Sequence, residues 1–239
     1  AIEIWKTAYG KLHPAVADGQ DNLALLYQTQ GKYSDAEALF IQALETRKHC
    51  LDINHPRVAT NINNLAHCYK SQGKLSEAEP LYIEALTLFK RLLGNRHPTV
   101  AEGLNNLGMF YIAKKDYSSA ENLLIEALEI QRQILGEEHP NIATSINNIA
   151  YMYDLQNRFE EAEPLYIKAL NMRKKLLGKT HPKVAISLNN LATLYRLTNR
   201  YEDAKSLYKE AIEIIEPQLD NNHPLKIRIK ENLAKLEQK

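Results

Sequence analysis

The chain has 239 residues, and its 30 Lys and Arg residues nearly balance its 29 Asp and Glu residues, which gives a formal net charge of +1. Sequence-independent nucleic-acid binding needs a concentrated positive field, so we expect no nucleic-acid partner. No apolar run approaches the roughly 20 residues that a membrane-spanning helix requires, so we also expect no membrane insertion.

The dipeptide His-Pro recurs six times at a constant spacing of 42 residues. Its histidines are His13, His55, His97, His139, His181 and His223. A fixed period of this length indicates a stacked array in which each unit buries its apolar face against its neighbours. We predict one array over residues 1–239, with a half-unit at 1–12, repeats at 13–54, 55–96, 97–138, 139–180 and 181–222, and a capping helix at 223–239.

The half-unit at 1–12 is predicted to be helical, because residues 1–5 align with residues 85–89 inside a predicted helix of the second repeat. We therefore expect the chain to start part-way through a helix and to be a fragment of a longer protein. Trp5 and Tyr9 would leave this end partly apolar. Such an open edge would either pack on further repeats or self-associate.

Each repeat is predicted to contain a first and a second helix, as residues 55–96 show. Pro56 suits the first turn of a helix, because its missing N–H would have no intrahelical partner there. Gly73 can adopt the left-handed conformation that ends a helix. Between them, apolar residues recur at helical spacing, at Val58, Ile62, Leu65, Ala66 and Tyr69.

The second helix is predicted to begin with a capping box, in which a Ser caps the helix and a Glu three residues later bonds back. The pairs are Ser34/Glu37, Ser76/Glu79 and Ser118/Glu121. Gly94, Gly136 and Gly178 are expected to end their helices. In the fifth repeat, Pro217 should end the second helix early.

The segment after His223 is predicted to be a helix that closes the array with a polar, solvated face. Its charged residues are Lys226, Arg228, Lys230, Glu231, Lys235, Glu237 and Lys239.

Small residues recur at three helix positions, where they would let neighbouring backbones approach closely. The first helix carries Ala24, Ala66, Gly108, Ala150 and Ala192. The second helix carries Ala36, Ala78, Ala120, Ala162 and Ala204, and also Ala43, Ala85, Ala127 and Ala169. The pattern predicts an all-α fold.

The pattern of small and large residues resembles the tetratricopeptide repeat (TPR) signature. In the second repeat it is carried by Leu65, Ala66, Tyr69, Ala78, Tyr82 and Ala85. The 42-residue period and the Leu-Gly-x-x-His-Pro linker, as at residues 93–98, are similar to repeats of the kinesin light chain type. The resemblance implies a right-handed superhelical TPR solenoid of stacked antiparallel helix pairs. Its first helices would line a concave groove that holds extended peptide segments.

A repeated Asn pair is predicted to face this groove, on the side of the first helix opposite its buried tyrosine. We expect the first Asn of each pair to be exposed to a ligand backbone, at Asn63, Asn105, Asn147 and Asn189. We expect the second Asn to bond the adjacent helix, at Asn64, Asn106, Asn148 and Asn190.

The other predicted groove positions vary between repeats, which is where specificity should reside. They include His67, Lys70, Met109, Tyr151 and Arg196. We expect an apolar anchor of the peptide to bind near Met109 and Tyr151.

The histidines and cysteines do not predict a metal site. Equivalent histidines lie a repeat apart and cannot converge at about 2.0–2.1 Å from one ion. A tighter cluster, His49, Cys50, His55, His67 and Cys68, lacks the usual ligand spacing. The two cysteines are also too few for a disulfide framework, which favours a cytoplasmic location. With no phosphate-binding loop, G-x-S-x-G or H-E-x-x-H motif in the chain, we expect no cofactor and no catalytic residues.

The sequence therefore predicts a non-catalytic scaffold that binds peptide segments of partner proteins. The alternative is a regulatory or oligomerisation module of a larger signalling protein, acting through intramolecular contacts or self-association at its N-terminal end.

Overall fold

The computed structural model describes residues 2–237, and within that range the chain forms twelve α-helices and no strand. They are α1 (Ile2–Tyr9), α2 (Pro14–Thr29), α3 (Tyr33–Cys50), α4 (Pro56–Ser71), α5 (Leu75–Leu93), α6 (Pro98–Ala113), α7 (Tyr117–Leu135), α8 (Pro140–Leu155), α9 (Phe159–Leu177), α10 (Pro182–Leu197), α11 (Tyr201–Ile215) and α12 (Pro224–Glu237). The all-α prediction is confirmed.

The helices fall into two compact units, residues 1–130 (unit 1) and residues 131–239 (unit 2). In unit 1, α2 packs on α3 and α4 on α5, while α3 also contacts α4 and α5 contacts α6. In unit 2, α8 packs on α9 and α10 on α11, while α9 also contacts α10 and α11 contacts α12. Each unit is therefore a stack of antiparallel helix pairs that share their apolar faces.

The histidine of each His-Pro dipeptide caps a first helix. Its Nδ1 atom accepts a hydrogen bond from the backbone N–H two residues later, as between His97 and Thr99 and between His139 and Asn141, both at 3.1 Å. The following Pro occupies the first turn, so cap and Pro together account for two of the N–H groups that a helix start leaves without partners. The recurring dipeptide is thus a helix-start device.

The predicted capping boxes are wrong. Residues Lys32 and Lys74 occupy the cap positions of α3 and α5 and make no side-chain cap bond. These helices, and α7, begin one residue before the predicted Ser caps at Ser34, Ser76 and Ser118, which therefore lie inside the first turn. In the third repeat Asp116 takes the role instead, accepting bonds from Ser119 N at 3.1 Å and Ser119 Oγ at 2.7 Å.

Two glutamates of those predicted boxes, Glu37 and Glu79, join neighbouring repeats. Glu37 accepts bonds from Lys74 Nζ at 2.8 Å and Gln72 Nε2 at 2.7 Å, and Glu79 accepts one from Lys114 Nζ at 2.7 Å. These glutamates therefore bond residues 35 or more positions away in the next repeat and do not cap their own helices.

The turn between the two helices of a repeat contains one residue with positive φ in every repeat. Glycine occupies the position at Gly31 and Gly73, whereas Lys115, Asn157 and Asn199 adopt φ angles of 59° to 64° there. Glycine enters this region without steric cost, while a residue with a Cβ is strained. The predicted stops at Gly94, Gly136 and Gly178 are confirmed, each with positive φ after the second helix.

The small residues lie in the core as predicted. The alanines at the three repeated positions are at most 1% exposed. At Gly108 a Cβ would approach Leu124 Cγ and Cδ2 to 2.9 Å, so the helices meet closely there.

The C-terminal end shows one confirmed expectation and one correction. The helix α11 stops at Ile215, just before Pro217. The charged residue Lys226 is not solvated as expected, because it is only 2% exposed. Its ammonium donates to the carbonyls of Glu216 at 3.4 Å and Leu219 at 3.2 Å, beyond the shortened helix. Lys239 and the side chain of Glu237 lie outside the residues that the structure describes.

Candidate functional site

The predicted groove residues lie on the first helices, and we call the side that carries them the groove face. Unit 1 contains Asn63, Asn64, His67, Lys70, Asn105, Asn106 and Met109. Unit 2 contains Asn147, Asn148, Tyr151, Asn189, Asn190 and Arg196. The structure thus brings them together as two sets.

The Asn pairs form hydrogen bonds between successive repeats. The second Asn of one repeat donates to the first Asn of the repeat before it: Asn106 Nδ2 to Asn63 Oδ1 at 3.3 Å in unit 1, and Asn190 Nδ2 to Asn147 Oδ1 at 3.2 Å in unit 2. In the closing helix, Asn232 Nδ2 donates in the same way to Asn189 Oδ1 at 3.0 Å. The predicted bond from the second Asn to the adjacent helix is found at Asn106 and Asn190, and Asn232 makes the same bond in the closing helix.

The first Asn of each pair is less accessible than expected. In unit 2, Asn147 and Asn189 are only 7% and 4% exposed, while Asn63 and Asn105 of unit 1 are half-buried. Asn147 and Asn189 each accept a bond from the next first helix or the closing helix, which places their side chains between packed helices. The expected exposure to the groove is therefore wrong for Asn147 and Asn189.

In unit 1 the groove face is cross-linked by polar side chains from α2 and α4. The amide nitrogen of Gln28 lies 2.6 Å from His67 Nδ1 and 3.3 Å from Ser71 Oγ. Although His67 is partly exposed, desolvation lowers its pKa to about 4, and the positive charge of Lys70 acts in the same direction. This imidazole is therefore neutral at physiological pH.

The equivalent positions of unit 2 form a different surface, which we call the unit 2 patch. It consists of Tyr151, Asp154 and Leu155 on α8 and Thr193, Arg196 and Leu197 on α10. Residues at i, i+3 and i+4 share one helix face, so each triplet lies together. Leu155 and Leu197 are 41% and 46% exposed, and Tyr151 is also exposed. Apolar surface is thus open to solvent here.

Asp154, within the unit 2 patch, is a buried carboxylic acid with little support. It is 8% exposed, Tyr166 Oη donates to its Oδ2 over a long 3.4 Å, and its Oδ1 has no hydrogen-bond partner. Burial raises the pKa of Asp154 to about 6, against the opposing effects of Tyr166 and Arg196. The Nε atom of Arg196 is likewise buried without a partner.

A buried arginine lies beside the groove face in unit 1. Arg47 forms ion pairs with Asp21 and, at 2.8 Å, with Asp18, and Asn61 Nδ2 donates to Asp21 Oδ1 at 2.7 Å. Burial nevertheless raises the pKa of Asp21, because desolvation outweighs the attraction of Arg47. The exposed Arg57 adds a pair with Asp18 at 3.1 Å.

The arginine at the same position of the fourth repeat, Arg173, has only neutral partners. It donates to Ser187 Oγ at 2.7 Å, to the Lys183 carbonyl at 3.2 Å and to Thr144 Oγ1 at 3.3 Å. Residues Thr144 and Asn147 stand where the first repeat has Asp18 and Asp21. Burial lowers the pKa of Arg173 to about 10, and its Nε has no partner.

Helical periodicity gave no indication of these arginines or of the residues 14 positions after them. The position holds Arg47, Phe89, Gln131, Arg173 and Ile215, and its partner position holds Asn61, Gly103, Ser145, Ser187 and Ile229. In unit 2 the Ser145 hydroxyl donates to Gln131 at 2.8 Å, as Ser187 bonds Arg173. In unit 1 a Cβ on Gly103 would approach Phe89 to 3.4 Å. The two positions change together in size and polarity from repeat to repeat, and this covariation is the feature of the sequence that could have indicated their contact.

A second apolar surface lies at the N-terminal end of unit 1. The ring of Trp5 packs over Gly19, where a Cβ would approach it to 2.6 Å. A cleft of about 670 Å³ beside it is lined by residues of α1, α2 and α3, including Leu23 and Leu39. Ile4 and Tyr9 of α1 are strongly exposed.

Within residues 2–237, no three His, Cys, Asp or Glu side chains are arranged to share a metal ion. Cys50 Sγ donates to the Leu12 carbonyl at 2.9 Å, and Cys68 is buried. No helix in the described part of the chain is both long and apolar enough to span a bilayer.

Comparison with known proteins identifies the repeats. Family models described as Tetratricopeptide repeat match residues 57–121, 99–175 and 156–216, and a further one matches residues 16–57. The search of curated proteins gives no match.

Solved structures with the same fold include BtubC (BKLC) from P. vanneervenii. It is 25% identical, with 87% of this chain and 84% of that chain covered, at a TM-score of 0.70. A Podosopora anserina protein, named as a kinesin light chain with nearly identical TPR-like repeats, is 26% identical, with 87% and 99% covered and a TM-score of 0.66. A substituted form of that protein is 26% identical, with 85% of this chain and 96% of that chain covered, at a TM-score of 0.67.

These matches confirm the resemblance to kinesin light chain repeats. Tetratricopeptide repeats form a non-enzymatic scaffold that is typical of protein–protein interaction, so the repeats imply protein partners. Because the family models cover more than half of the sequence, the chain belongs to the tetratricopeptide repeat family, with repeats similar to those of kinesin light chains.

Proposed function

We propose that the chain is a non-catalytic scaffold whose groove face binds extended peptide segments of partner proteins. The members of a repeat family differ in what they bind, so the proposal rests on the site and not on the fold alone. A cytoplasmic location stays a prediction from cysteine content.

The supporting observation is the hydrogen-bonding capacity of the bonded Asn pairs. A carboxamide offers two N–H donors and two acceptor lone pairs, and the bond from Asn106 to Asn63 uses one donor and one lone pair. Both residues are half-buried, so their packing fixes the amides while part of each side chain reaches solvent. A peptide backbone needs such donors and acceptors at regular spacing, whatever its side chains.

The test is capture of the full chain by an immobilised library of random nonapeptides. The double variant Asn63→Ala/Asn106→Ala should lose about tenfold or more in captured protein, because each lost hydrogen bond contributes roughly 0.5–1.5 kcal/mol. Asn122→Ala is the matched control, since Asn122 is exposed on α7, a second helix. Capture that is unchanged in the double variant, with helicity intact by circular dichroism, would contradict the proposal.

The alternative function is a module that self-associates through its N-terminal end. It draws support from the exposed side chains of Ile4 and Tyr9 on α1, which also lines the cleft beside Trp5. Sedimentation velocity at increasing concentration tests it. A dimer that dissociates in Ile4→Ser would favour this alternative, and a monomer at all concentrations would remove it.

A further inference from the structure

The unit 2 patch has the chemistry of a subsite, and unit 1 shows why. Gln28 occupies the position of Asp154 three repeats earlier, and its amide nitrogen bonds His67 and Ser71 on the next first helix. Asp154 faces the equivalent residues Thr193 and Leu197 by the same repeat register. The residue at the position of Gln28 and Asp154 therefore faces two residues of the next first helix, at the positions of His67/Thr193 and Ser71/Leu197.

Neither of those two positions supplies a donor to Asp154. Leucine has no polar group, and the Thr193 hydroxyl donates to the Asn189 carbonyl at 2.8 Å and lies 3.0 Å from Tyr208 Oη. Only the long bond from Tyr166 remains, and Asp154 Oδ1 has no partner. A buried carboxylate that lacks donors is costly, so the site gains free energy from any cation or donor brought to it.

The surroundings of Asp154 define what such a cation must be attached to. Leu155 and Leu197 are among the exposed large apolar side chains of unit 2, and Tyr151 lies on the same face of α8 as Asp154. A bare metal ion would leave these side chains in water. A chain segment with an aliphatic side chain next to a charged amine or guanidinium would cover the apolar surface and reach the acid.

Arg196 is the one cation on the patch, and it does not replace this partner. Its charge lowers the pKa of Asp154, but burial has the larger and opposite effect. The other titratable group that contacts Asp154 is Tyr166, and burial raises the pKa of this phenol further above its usual range, so it remains neutral at physiological pH. At that pH Asp154 is ionised and needs a donor that the protein itself does not provide.

We propose that the unit 2 patch binds a peptide segment in which an apolar side chain is followed by Lys or Arg, the basic group pairing with Asp154 and the apolar group covering Leu155 and Leu197. This inference rests on the proposed function, since it specifies one side-chain preference of the peptide that the groove face binds. The preference belongs to unit 2, because Gln28, at the equivalent position of unit 1, already bonds His67 and Ser71 within the chain.

The experiment is an array of nonapeptides in which a central Leu is followed by Lys, norleucine or Glu within one common set of flanking sequences. Norleucine matches the Lys stem without its charge, so the ratio of the two signals isolates the ammonium group. At neutral pH the Lys set should bind about tenfold or more above the norleucine set, as for a hydrogen bond to a charged group. At pH 5, where Asp154 becomes protonated, this ratio should fall.

Two variants separate the subsite from the rest of the groove. In Asp154→Asn the ratio of Lys to norleucine should fall to about one, whereas Glu202→Gln, which removes an exposed acid of α11, should leave it unchanged. In Leu197→Ala all sets should weaken together. Equal binding of the Lys and norleucine sets, or a Lys preference that persists in Asp154→Asn, would overturn the inference while leaving the scaffold function intact. Absence of binding by every set would overturn both.

Discussion

The two units share one arrangement of helices around the groove face, but the buried charges beside it are compensated within the chain in unit 1 and not in unit 2. In unit 1, Arg47 is neutralised by Asp18 and Asp21, and Gln28 cross-links α2 to α4. In unit 2, Arg173 has hydroxyl and carbonyl partners only, and Asp154 retains an oxygen without a donor.

The comparison shows how a repeat protein separates stability from specificity. Apolar positions and helix caps recur in both units, whereas the charged positions of the groove face change independently. A buried ion pair that is complete within the chain has nothing left for a ligand, while an isolated buried charge can be compensated by one. The unit 2 face is therefore the better candidate for selective binding.

The largest expected effect comes from the two arginines. Arg47→Met should cost about 3–5 kcal/mol, because it leaves the buried Asp21 without its cation. Arg173→Met should change stability by less than about 1 kcal/mol, because it removes a desolvated charge that has no acidic partner. Urea denaturation followed by circular dichroism measures both. Equal losses would show that the two sites do not differ in charge compensation.

The next effect concerns Asp154 and depends on pH. Its folded pKa, about 6, lies above the ordinary value of 3.8 for an aspartic acid side chain, so the folded protein binds the proton more tightly than the unfolded chain between these two values. Stability from this group is therefore highest at low pH and is lost as pH rises through about 6. Asp154→Asn should stabilise the protein by about 2 kcal/mol at neutral pH, since one pKa unit corresponds to about 1.4 kcal/mol.

Urea midpoints at neutral pH and near pH 4 check this prediction, with Glu202→Gln as the control. The stabilisation by Asp154→Asn should vanish near pH 4. A variant that is less stable than the parent at neutral pH would mean that the Asp154 carboxylate is paired in solution.

The histidine caps should behave alike in both units. Loss of a capping acceptor costs about 1 kcal/mol, so His97→Ala in unit 1 and His139→Ala in unit 2 should be destabilised equally. His139→Asn keeps a capping side chain and should recover most of the loss. Different losses for the two alanine variants would show that the two units differ in more than their charged positions.

The smallest effect is expected in the turns with positive φ. Lys115→Gly in unit 1 relieves strain of roughly 1–2 kcal/mol but adds unfolded-state entropy of about 0.4–1 kcal/mol, so a net gain of about 0.5–1 kcal/mol is expected. Asn157→Gly in unit 2 should gain less, because Asn tolerates the left-handed region better than Lys does. Thermal melting compares the two. A larger gain at Asn157 would contradict the strain assigned to Lys115.

Much of the fold could be predicted because its signals are local. Pro after His starts each first helix, Gly ends each of three second helices, and Ala marks the helix crossings. The capping boxes failed because Ser-x-x-Glu has two uses, and Glu37 and Glu79 bond lysines of the next repeat. The prediction of a solvated Lys226 was wrong for a similar reason, because a single sequence does not distinguish a solvated lysine from a buried one that donates to backbone carbonyls.

The candidate site could be predicted in position but not in detail. Helical periodicity placed the Asn pairs on one face, and the bonds from Asn106 and Asn190 agree with that register. It did not indicate the burial of Asn147 or the isolation of Asp154, because these depend on which side chains the neighbouring repeat presents. Arg47 and Arg173 were missed since periodicity assigns them only to a helix.

The 42-residue period, the helix pairs and the alanine crossings were determined by the sequence alone, because each follows from residue size and backbone preference within one repeat. The partners of its charges were decided only by the tertiary structure. Hydrogen bonds between repeats join residues 14 positions apart, as in Arg173 and Ser187, or 35 to 43 positions apart, and stacking of the helices selects which donors and acceptors meet. Burial then sets the free energy of each charge, since water is displaced only once the repeats have packed.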